Sequence, residues 1–188
     1  MTAACRRWAE GYRGALLEVV GGIRLEPLVE CAERIRAVWQ AGGTLFVAGN
    51  GGSASTSSHV ACDLVRRGAE AGDAPRVISL AESTATLTAI ANDDCFEQVY
   101  AAQLRLLARP GDALLCISCS GRSPNVVAAI AEAGRLQLTV LGWGGLSGPM
   151  AAACDCYVHV PSADYGLVES AHLWLGHCLA ELLAGADA

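Results

Sequence analysis

The chain of 188 residues contains no lysine, and all 13 of its basic residues are arginines. Schiff-base chemistry needs a lysine amine, so imine-forming aldolases and pyridoxal phosphate enzymes are excluded. A Walker-type phosphate loop, GxxxxGK[ST], is excluded for the same reason. The missing lysine therefore removes two enzyme classes and one common nucleotide site.

Charge is also scarce, and no part of the chain is strongly basic. Only 17 % of residues are charged, the net charge is -6 and the pI is about 5.1. Without a basic run, we expect no nucleic-acid partner. No uninterrupted apolar stretch reaches the roughly 18 residues of a membrane span, so we expect no membrane contact. Residues 1–13 carry charges where a signal peptide has its apolar segment, which predicts a cytoplasmic protein.

Apolar residues make up 53 % of the chain, and nine residues are cysteines. A small monomer with so little charge would be poorly soluble, so we expect an oligomer that buries the leading helices and the last helix. The odd number of cysteines, their apolar surroundings and the absence of a secretion signal argue against disulfides. The CxxC pair of Cys116 and Cys119 lacks the second pair that a zinc site would need. We expect all nine thiols to be reduced and most of them to pack in the core.

Short apolar strands alternate with helical segments along most of the chain. Residues 1–41 show helical spacing of apolar residues, and Gly42-Gly43 ends the second helix. Residues 44–183 alternate strand and helix through to a final helix, which predicts an α/β fold with a parallel sheet covered on both faces. Five strands suit a flavodoxin-like doubly wound sheet, in which ligands bind at the carboxyl ends of the strands. No repeat or linker divides the chain, so residues 1–188 are predicted to form a single domain. The predicted strands are Thr44–Ala48, Arg76–Leu80, Ala113–Ser118, Leu138–Trp143 and Cys156–Val160. The predicted helices are Ala3–Val20, Glu26–Ala41, a helix that follows GNGGSAS and ends near Arg67, Thr84–Ala91, Phe96–Leu107, Pro124–Gly134, Pro149–Ala153 and Tyr165–Leu183.

Two polar loops directly follow predicted strands and directly precede predicted helices. The glycine loop, GNGGS at 49–53, lets the backbone come close to a ligand, and the helix start behind it attracts an anion. The serine loop, SCSGRS at 118–123, crowds hydroxyls, a glycine and an arginine at another helix start. Each loop alone is typical of a capped turn. Two such loops at strand ends of one sheet favour an anionic ligand such as a phosphate monoester.

Together with the rest of the sequence, these loops resemble the SIS (sugar isomerase) domain family. The resemblance covers nearly the whole chain and is nearest to the bacterial isomerases of sedoheptulose 7-phosphate. The non-catalytic DnaA initiator-associating proteins are relatives of similar pattern. The segments that carry the resemblance are strand–GNGGSA–helix, LTAIAND at Leu87–Asp93, RPGDALLCIS followed by CSGRS, the VP pair at 160–161 and ESAH in the last helix.

The resemblance implies a homotetramer with active sites at subunit boundaries, and a divalent metal that is expected to be zinc. It implies that the phosphate lies in the serine loop, that Asn50 and Asp93 contact the sugar, and that Arg67 approaches it. The implied substrate-binding residues are Asn50, Gly51, Gly52, Ser53, Arg67, Asp93, Ser118, Cys119, Ser120 and Ser123. The implied metal ligands are His59, Asp63, Glu169 and His177, and the implied catalytic residues are Asp63, Glu169 and His177.

The spacing of the implied ligands agrees with a shared site. His59 and Asp63 are four residues apart and therefore lie on one helix face. Glu169 and His177 are eight residues apart, on the same side of the last helix. Imidazoles and carboxylates are ligands of Zn²⁺, and they also supply the acid and the base that move a proton between adjacent carbons. Alternatively, His59 could hydrogen-bond near the glycine loop, and Asp63 could be a solvated carboxylate paired with an arginine.

The sequence departs from the family pattern at several of these positions. Asp63 stands where glutamate is usual and Glu169 where glutamine is usual, while Cys119 and Arg122 replace a threonine and an asparagine, and Leu167 replaces an arginine. The histidines are kept and a carboxylate is gained, which favours an active enzyme over a binding protein.

The reaction that the sequence favours is aldose–ketose isomerisation of sedoheptulose 7-phosphate to glycero-manno-heptose 7-phosphate through an enediol. Asp63 or Glu169 would take the proton from carbon, and His177 would serve the oxygen. His159 and His172 are predicted to be structural. The alternatives are a non-catalytic regulator of the DnaA initiator-associating type and another phosphosugar isomerase or epimerase in a specialised pathway.

Overall fold

The structure is a computed structural model that describes residues 2–70 and 75–185. Within these ranges the predicted order of strands and helices is confirmed. The strands are β1 (Thr44–Gly49), β2 (Arg76–Ser79), β3 (Ala113–Ser118), β4 (Thr139–Gly144) and β5 (Cys156–His159). The helices are α1 (Ala3–Gly21), α2 (Glu26–Gln40), α3 (Gly52–Glu70), α4 (Thr84–Asp93), α5 (Ala101–Leu107), α6 (Pro124–Arg135), α7 (Pro149–Ala153) and α8 (Tyr165–Leu183), with a 3-10 helix at Phe96–Gln98. Over the described ranges, none of the helices is both long and apolar enough to cross a membrane.

The strands form one parallel sheet in the order β2-β1-β3-β4-β5, which confirms the predicted flavodoxin-like arrangement. Gly49 at the end of β1 is paired with Ile117 near the end of β3, so the two strands end side by side. The chain leaves β1 towards β2 on one side and continues from β3 towards β4 on the other. The loops after β1 and β3 therefore diverge and leave a crevice at the switch point of the sheet.

Successive side chains of the central strands point to opposite faces, and helices cover both faces. Leu45 and Val47 belong to the core that β1 shares with α1, α2, α3 and α8. Phe46 and Ala48 belong to the core on the other face, with α5 and α6. Every residue of β1 and β3 is buried. A strand buried on both faces needs apolar residues at nearly every position, which explains the continuous runs TLFVA and ALLCIS.

Helices α3 and α8 lie side by side and run in the same direction. Gly176 on α8 faces α3, where a Cβ on it would lie 2.7 Å from Val60 Cγ2. Towards the start of both helices, Gly52 faces Glu169, and a Cβ on Gly52 would collide with the Glu169 carboxylate. Glycine at these two positions allows the close approach. This register sets the last helix against the helix that follows the glycine loop.

The segment predicted as one helix, Phe96–Leu107, is divided into a 3-10 helix and α5. The break falls at Val99 and Tyr100, and both side chains are buried. The break lets Tyr100 reach the end of β1, where its hydroxyl donates to the carbonyl of Gly49.

His172 on α8 is fully buried, and neither of its ring nitrogens has a hydrogen-bond partner among the residues that the structure describes. It packs in the protein interior, in agreement with the predicted structural role. Burial lowers the pKa of His172 from 6.5 to about 4, because the charged ring would lose its water.

We expect this histidine to make the protein less stable in acid. Below pH 6.5 the unfolded chain binds a proton at His172 that the folded protein refuses until about pH 4, so stability falls through this window. The full shift corresponds to about 3 kcal/mol. Urea unfolding at neutral and acidic pH should show this loss in the wild type and its absence in His172→Leu. His159→Leu, which changes an exposed histidine, should keep the wild-type slope. The same slope in His172→Leu would contradict the assignment.

Candidate active site

A pocket of about 210 Å³ opens at the carboxyl ends of β1 and β3. It brings the glycine loop and the serine loop together with the first turns of α8. Its lining residues are Asn50, Gly51, Ser53, Ser118, Cys119, Ser120, Ser123, Tyr165 and Glu169. Most of the substrate-binding residues predicted from the sequence therefore lie around one cavity, at the switch point where doubly wound sheets bind ligands.

The serine loop is arranged so that its hydroxyls are able to donate to an anion. Ser118 Oγ accepts from the Gly121 N–H, and Ser120 Oγ accepts from the Arg122 N–H, each at 3.2 Å. Each hydroxyl hydrogen is therefore available for a bond to a ligand. Ser123 begins α6 and makes no side-chain bond to its own helix. These hydroxyls stand at the positive end of the α6 dipole, which suits a phosphate monoester.

Cys119 differs from the serines on either side of it. Its side chain is buried, and the pKa of its thiol is raised by that burial and by the negative charge of Glu169. A neutral thiol is a weak donor. The carbonyl of Cys119 accepts from the backbone N–H groups of Gly145 and Leu146, which fixes the serine loop to the loop after β4. Cys119 therefore shapes the pocket more than it binds a ligand.

An asparagine pair joins the glycine loop to the start of α6. The Asn50 amide donates to Asn125 Oδ1 and the Asn125 amide donates back to Asn50 Oδ1, each at 2.8 Å. The Tyr100 hydroxyl also reaches Asn50 Oδ1, at 3.2 Å. Asn125 is almost fully buried. Sequence reasoning missed Asn125 and Tyr100, although a polar residue on the buried face of α6 is a signal for such a contact.

We expect Asn125→Ala to weaken both the fold and ligand binding. The change leaves the Asn50 amide without its partner in a half-buried site, which costs about 1–3 kcal/mol. Urea unfolding should show this loss, and calorimetry should show weaker binding of a sugar phosphate because the glycine loop loses its support. Gln98→Ala is the matched control, since it removes a half-buried side-chain amide that accepts from Arg105 and lies away from the Asn50–Asn125 pair. Wild-type affinity in Asn125→Ala would show that the pair does not hold the loop in its binding form.

Glu169 places a carboxylate in the same pocket, directly above Gly52 at the start of α3. The N-terminal N–H groups of a helix favour a negative charge at this position. Glu169 is the single Asp or Glu among the lining residues of this cavity. The pocket therefore contains one group that can act as a base towards a bound sugar.

A second cluster of polar side chains lies further along α3 and α8. His59 and Asp63 of α3 and His177 of α8 come together, with His59 Nε2 2.9 Å from His177 Nε2. Asp63 Oδ2 is 3.2 Å from His59 Nε2 and 3.7 Å from His177 Nε2. Both histidines are about half exposed, and Asp63 is more protected. The alternative of Asp63 paired with an arginine is not needed to explain this geometry.

The donor set of this His/Asp/His cluster fits a divalent metal. The ligand atoms lie within 4.8 Å of one another. Four tetrahedral ligands at the bond lengths typical of Zn²⁺ are about 3.3 Å apart, close to the mean of the three distances. The two Nε2 atoms also face each other, so that one ring must carry a proton there when no cation lies between them. Glu169, the fourth predicted ligand, is not part of this cluster in the described residues.

The remaining predicted site residues do not line the pocket of their own chain. Arg67 forms an ion pair with Glu181 at the far end of the α3–α8 contact. Asp93 is exposed at the end of α4, where it accepts from the side chain of Asn92. Arg122 extends over the rim of the serine loop, and its guanidinium donates to the Ser147 carbonyl at 3.1 Å.

Comparison with known proteins connects this geometry to a family. The SIS domain model matches residues 12–145. A phosphoheptose isomerase from Desulfovibrio desulfuricans is 42 % identical over 156 residues, which cover 82 % of this chain and 74 % of that protein. A phosphoheptose isomerase from Burkholderia pseudomallei is 39 % identical over 143 residues, which cover 76 % of this chain and 73 % of that protein. A solved phosphoheptose isomerase from Neisseria gonorrhoeae superimposes with a TM-score of 0.84 at 30 % identity and covers 96 % of both chains.

Proposed function

The chain belongs to the SIS domain family, and we propose that it is a phosphoheptose isomerase that converts sedoheptulose 7-phosphate to glycero-manno-heptose 7-phosphate. One observation carries the proposal: a pocket of serine hydroxyls contains a carboxylate, and a His/Asp/His cluster lies further along the same pair of helices. Residues 1–188 form one domain of this family, and the domain catalyses an aldose–ketose isomerisation. The cytoplasmic location remains a prediction from the sequence.

The serine loop binds the phosphate, and α3 sets the direction of the sugar. An extended chain advances about 1.2 Å per bond, so carbon 2 of the ketose lies roughly 8 Å from the phosphorus. His59 is seven residues beyond Gly52, or about 10 Å along α3. A sugar that runs from the serine loop along α3 therefore places carbons 1 and 2 between Glu169 and the His/Asp/His cluster.

Glu169 acts as the base that moves the proton between the two carbons. It takes a proton from carbon 1 of the ketose to give the enediol and returns a proton to carbon 2 to give the aldose. Asp63 is one methylene shorter than the glutamate usual in the family, and its carboxylate is engaged with two imidazoles. The carboxylate function has thus moved from α3 to α8, where the family pattern has an amide.

The His/Asp/His cluster serves the sugar oxygens. The imidazole of His177 is the group that gives a proton to the carbonyl oxygen and takes one back from the hydroxyl. His59, Asp63 and His177 would hold a divalent cation, which we propose to be zinc, while Glu169, predicted as the fourth ligand, lies in the sugar-phosphate pocket. When bound, such a cation supplies Lewis-acid polarisation of the carbonyl.

We propose that the protein is a homotetramer with active sites at subunit boundaries. Arg67 and Asp93 would then reach the site of a neighbouring copy, since they do not line their own pocket. The apolar cavity between α2 and α8 supports an interface next to His177, because it is open and its lining is almost entirely hydrocarbon. Light scattering at micromolar concentration should give the tetramer mass, and a monomer that is fully active would contradict shared sites.

The other functions predicted from the sequence are less well supported. A non-catalytic regulator would have no need of a His/Asp/His cluster beside a sugar-phosphate pocket. A different phosphosugar isomerase is not favoured by relatives that are phosphoheptose isomerases at 39–42 % identity.

The direct test is incubation of the protein with sedoheptulose 7-phosphate, followed by NMR of the product. We expect the aldose signals of glycero-manno-heptose 7-phosphate to grow at the expense of the ketose. In deuterium oxide the product should carry deuterium at carbon 2 to the extent that the base exchanges its proton with solvent. Ser120→Ala removes one hydrogen bond to a charged group and should weaken binding by about tenfold or more. No turnover by the wild type, with tight binding of the ketose, would favour the regulator.

A further inference from the structure

Two cysteines that are 125 residues apart in sequence meet beneath the leading helices, away from the sugar-phosphate pocket. Cys31 on α2 and Cys156 at the start of β5 are both buried, and their sulfur atoms lie 3.3 Å apart. This distance is that of a hydrogen bond between thiols, and a modest shift of the two side chains would bring the sulfurs to bonding distance. The sequence predicted only separate packing cysteines at these positions.

The contacts around the pair give its two sulfurs different roles. The Cys31 thiol donates to Cys156 Sγ, and the Cys156 thiol donates to the Pro27 carbonyl at 3.2 Å. The hydrogen bond from Cys31 lowers the pKa of Cys156, and Arg34 acts in the same direction. The same bond, together with burial, raises the pKa of Cys31. Cys156 is therefore the sulfur that more readily becomes a thiolate, and a thiolate is the nucleophilic form.

The other cysteines differ from this pair in contact or in environment. Cys116 is fully buried on the other face of the sheet, and burial raises the pKa of its thiol well above the ordinary value. Cys154, two residues before Cys156, has its pKa raised to about 12 by burial. All nine cysteines lie in the described ranges, and Cys31 and Cys156 are the ones whose thiols hydrogen-bond to each other.

We propose that Cys31 and Cys156 form a reversible intramolecular disulfide when the protein meets a hydroperoxide. The Cys156 thiolate attacks the OH-bearing oxygen of the hydroperoxide and the O–O bond breaks, which gives a sulfenic acid; the alkoxide or hydroxide takes the proton that the Cys156 thiol lost and leaves as alcohol or water. Cys31 Sγ then attacks Cys156 Sγ, the S–O bond breaks, and water leaves with the Cys31 proton. Two thiols and one peroxide thus give one disulfide, one water and one alcohol or second water. A dithiol restores the pair by exchange.

The disulfide would fasten α2 to the edge strand of the sheet. Arg36 of α2 already donates to the Leu182 carbonyl at 2.8 Å, so α2 also touches the end of α8. The bond would close a loop of more than 100 residues, which strongly restricts the unfolded chain. We expect the oxidised protein to melt roughly 5–10 °C higher than the reduced protein. The proposal does not depend on the substrate, because neither cysteine lines the sugar-phosphate pocket.

The test is treatment of the whole protein with hydrogen peroxide, followed by blocking of free thiols, digestion and mass spectrometry. We expect a peptide pair joined through Cys31 and Cys156, its disappearance after dithiothreitol, and the rise in melting temperature before reduction. Cys154→Ser is the matched control and should retain the cross-linked pair. Cys31→Ser keeps a hydrogen-bond donor towards Cys156 but no sulfur, so it should lose the cross-link and leave Cys156 as a sulfenic acid that a dimedone probe traps.

Three results would overturn the proposal. The first is that the peroxide-treated wild type yields no Cys31–Cys156 peptide. The second is that Cys156 of the wild type is oxidised beyond the sulfenic acid before any cross-link forms. The third result is Cys31→Ser, folded and treated with peroxide, without a trapped sulfenic acid on Cys156. Peptide mapping of the wild type decides the matter even if the variant does not fold.

Discussion

Glu169→Gln is expected to lower kcat by about 10²–10⁴-fold with a much smaller change in KM, because it removes the base and keeps the size of the side chain. Glu169 is the carboxylate that lines the sugar-phosphate pocket. The phosphate contacts come from the serine loop and remain, so binding should persist. Steady-state kinetics with sedoheptulose 7-phosphate, together with calorimetry on the variant, separate these two effects.

Two further variants sharpen this test. Gly52→Ala adds a methyl group where the Glu169 carboxylate lies, and that flexible carboxylate can move aside. We expect kcat to fall while the melting temperature changes little. Glu132→Gln is the control, since Glu132 lies on α6 and pairs with Arg105 and Arg135. Its kcat should equal that of the wild type.

The outcome that counts against Glu169 as the base is equally definite. If Glu169→Gln keeps wild-type kcat while Asp63→Asn loses it, the proton is taken from carbon by Asp63. The carboxylate would then have remained on α3, as in the usual family pattern.

We expect His177→Ala to lose both turnover and bound metal. The side chain provides one of the three candidate ligand atoms in the His/Asp/His cluster, and in the proposed mechanism its imidazole serves the sugar oxygen. Loss of an acid–base group lowers kcat by about 10²–10⁴-fold. Metal affinity should fall by at least the 10–100-fold that follows loss of even a supporting partner. Metal analysis of the purified variant and kinetics with added zinc measure the two losses separately.

His159→Ala provides the control for this prediction, because His159 is an exposed histidine at the end of β5 and is not in the cluster. Its metal content and turnover should match those of the wild type. Chelation of the wild type should lower activity, and zinc should restore it. Full activity after complete removal of the metal would show that the metal has no part in catalysis. Wild-type turnover in His177→Ala would show that the His/Asp/His cluster has no part in it.

Much of the fold was predictable from the sequence because the sheet is buried on both faces. That burial requires continuous apolar strands, and the runs TLFVA and ALLCIS meet this requirement. Turn residues between strands and helices allowed most boundaries of the strands and helices to be predicted. The division of Phe96–Leu107 was not predicted, because it depends on where the Tyr100 hydroxyl finds a partner across the sheet.

The site was predictable where its residues share one local segment. The serine loop and the glycine loop follow strands directly, so their positions at the carboxyl edge follow from the α/β pattern. His59 and Asp63 share a helix face through their spacing of four residues. The position of Glu169 was harder to predict, since helical spacing puts it on the same side as His177 but does not say which part of α3 it meets.

The sequence by itself determined the α/β class, the parallel sheet, the place of the two polar loops at strand ends and the exclusion of lysine chemistry. These properties depend on composition, on periodicity and on residues that are close neighbours in the chain. Only the tertiary structure decided which distant residues meet: Asn50 with Asn125, Glu169 with Gly52, His177 with His59 and Cys31 with Cys156. The reason is physical, since the register between packed helices is set by the fit of side chains across the interface, and spacing along one helix does not contain that information.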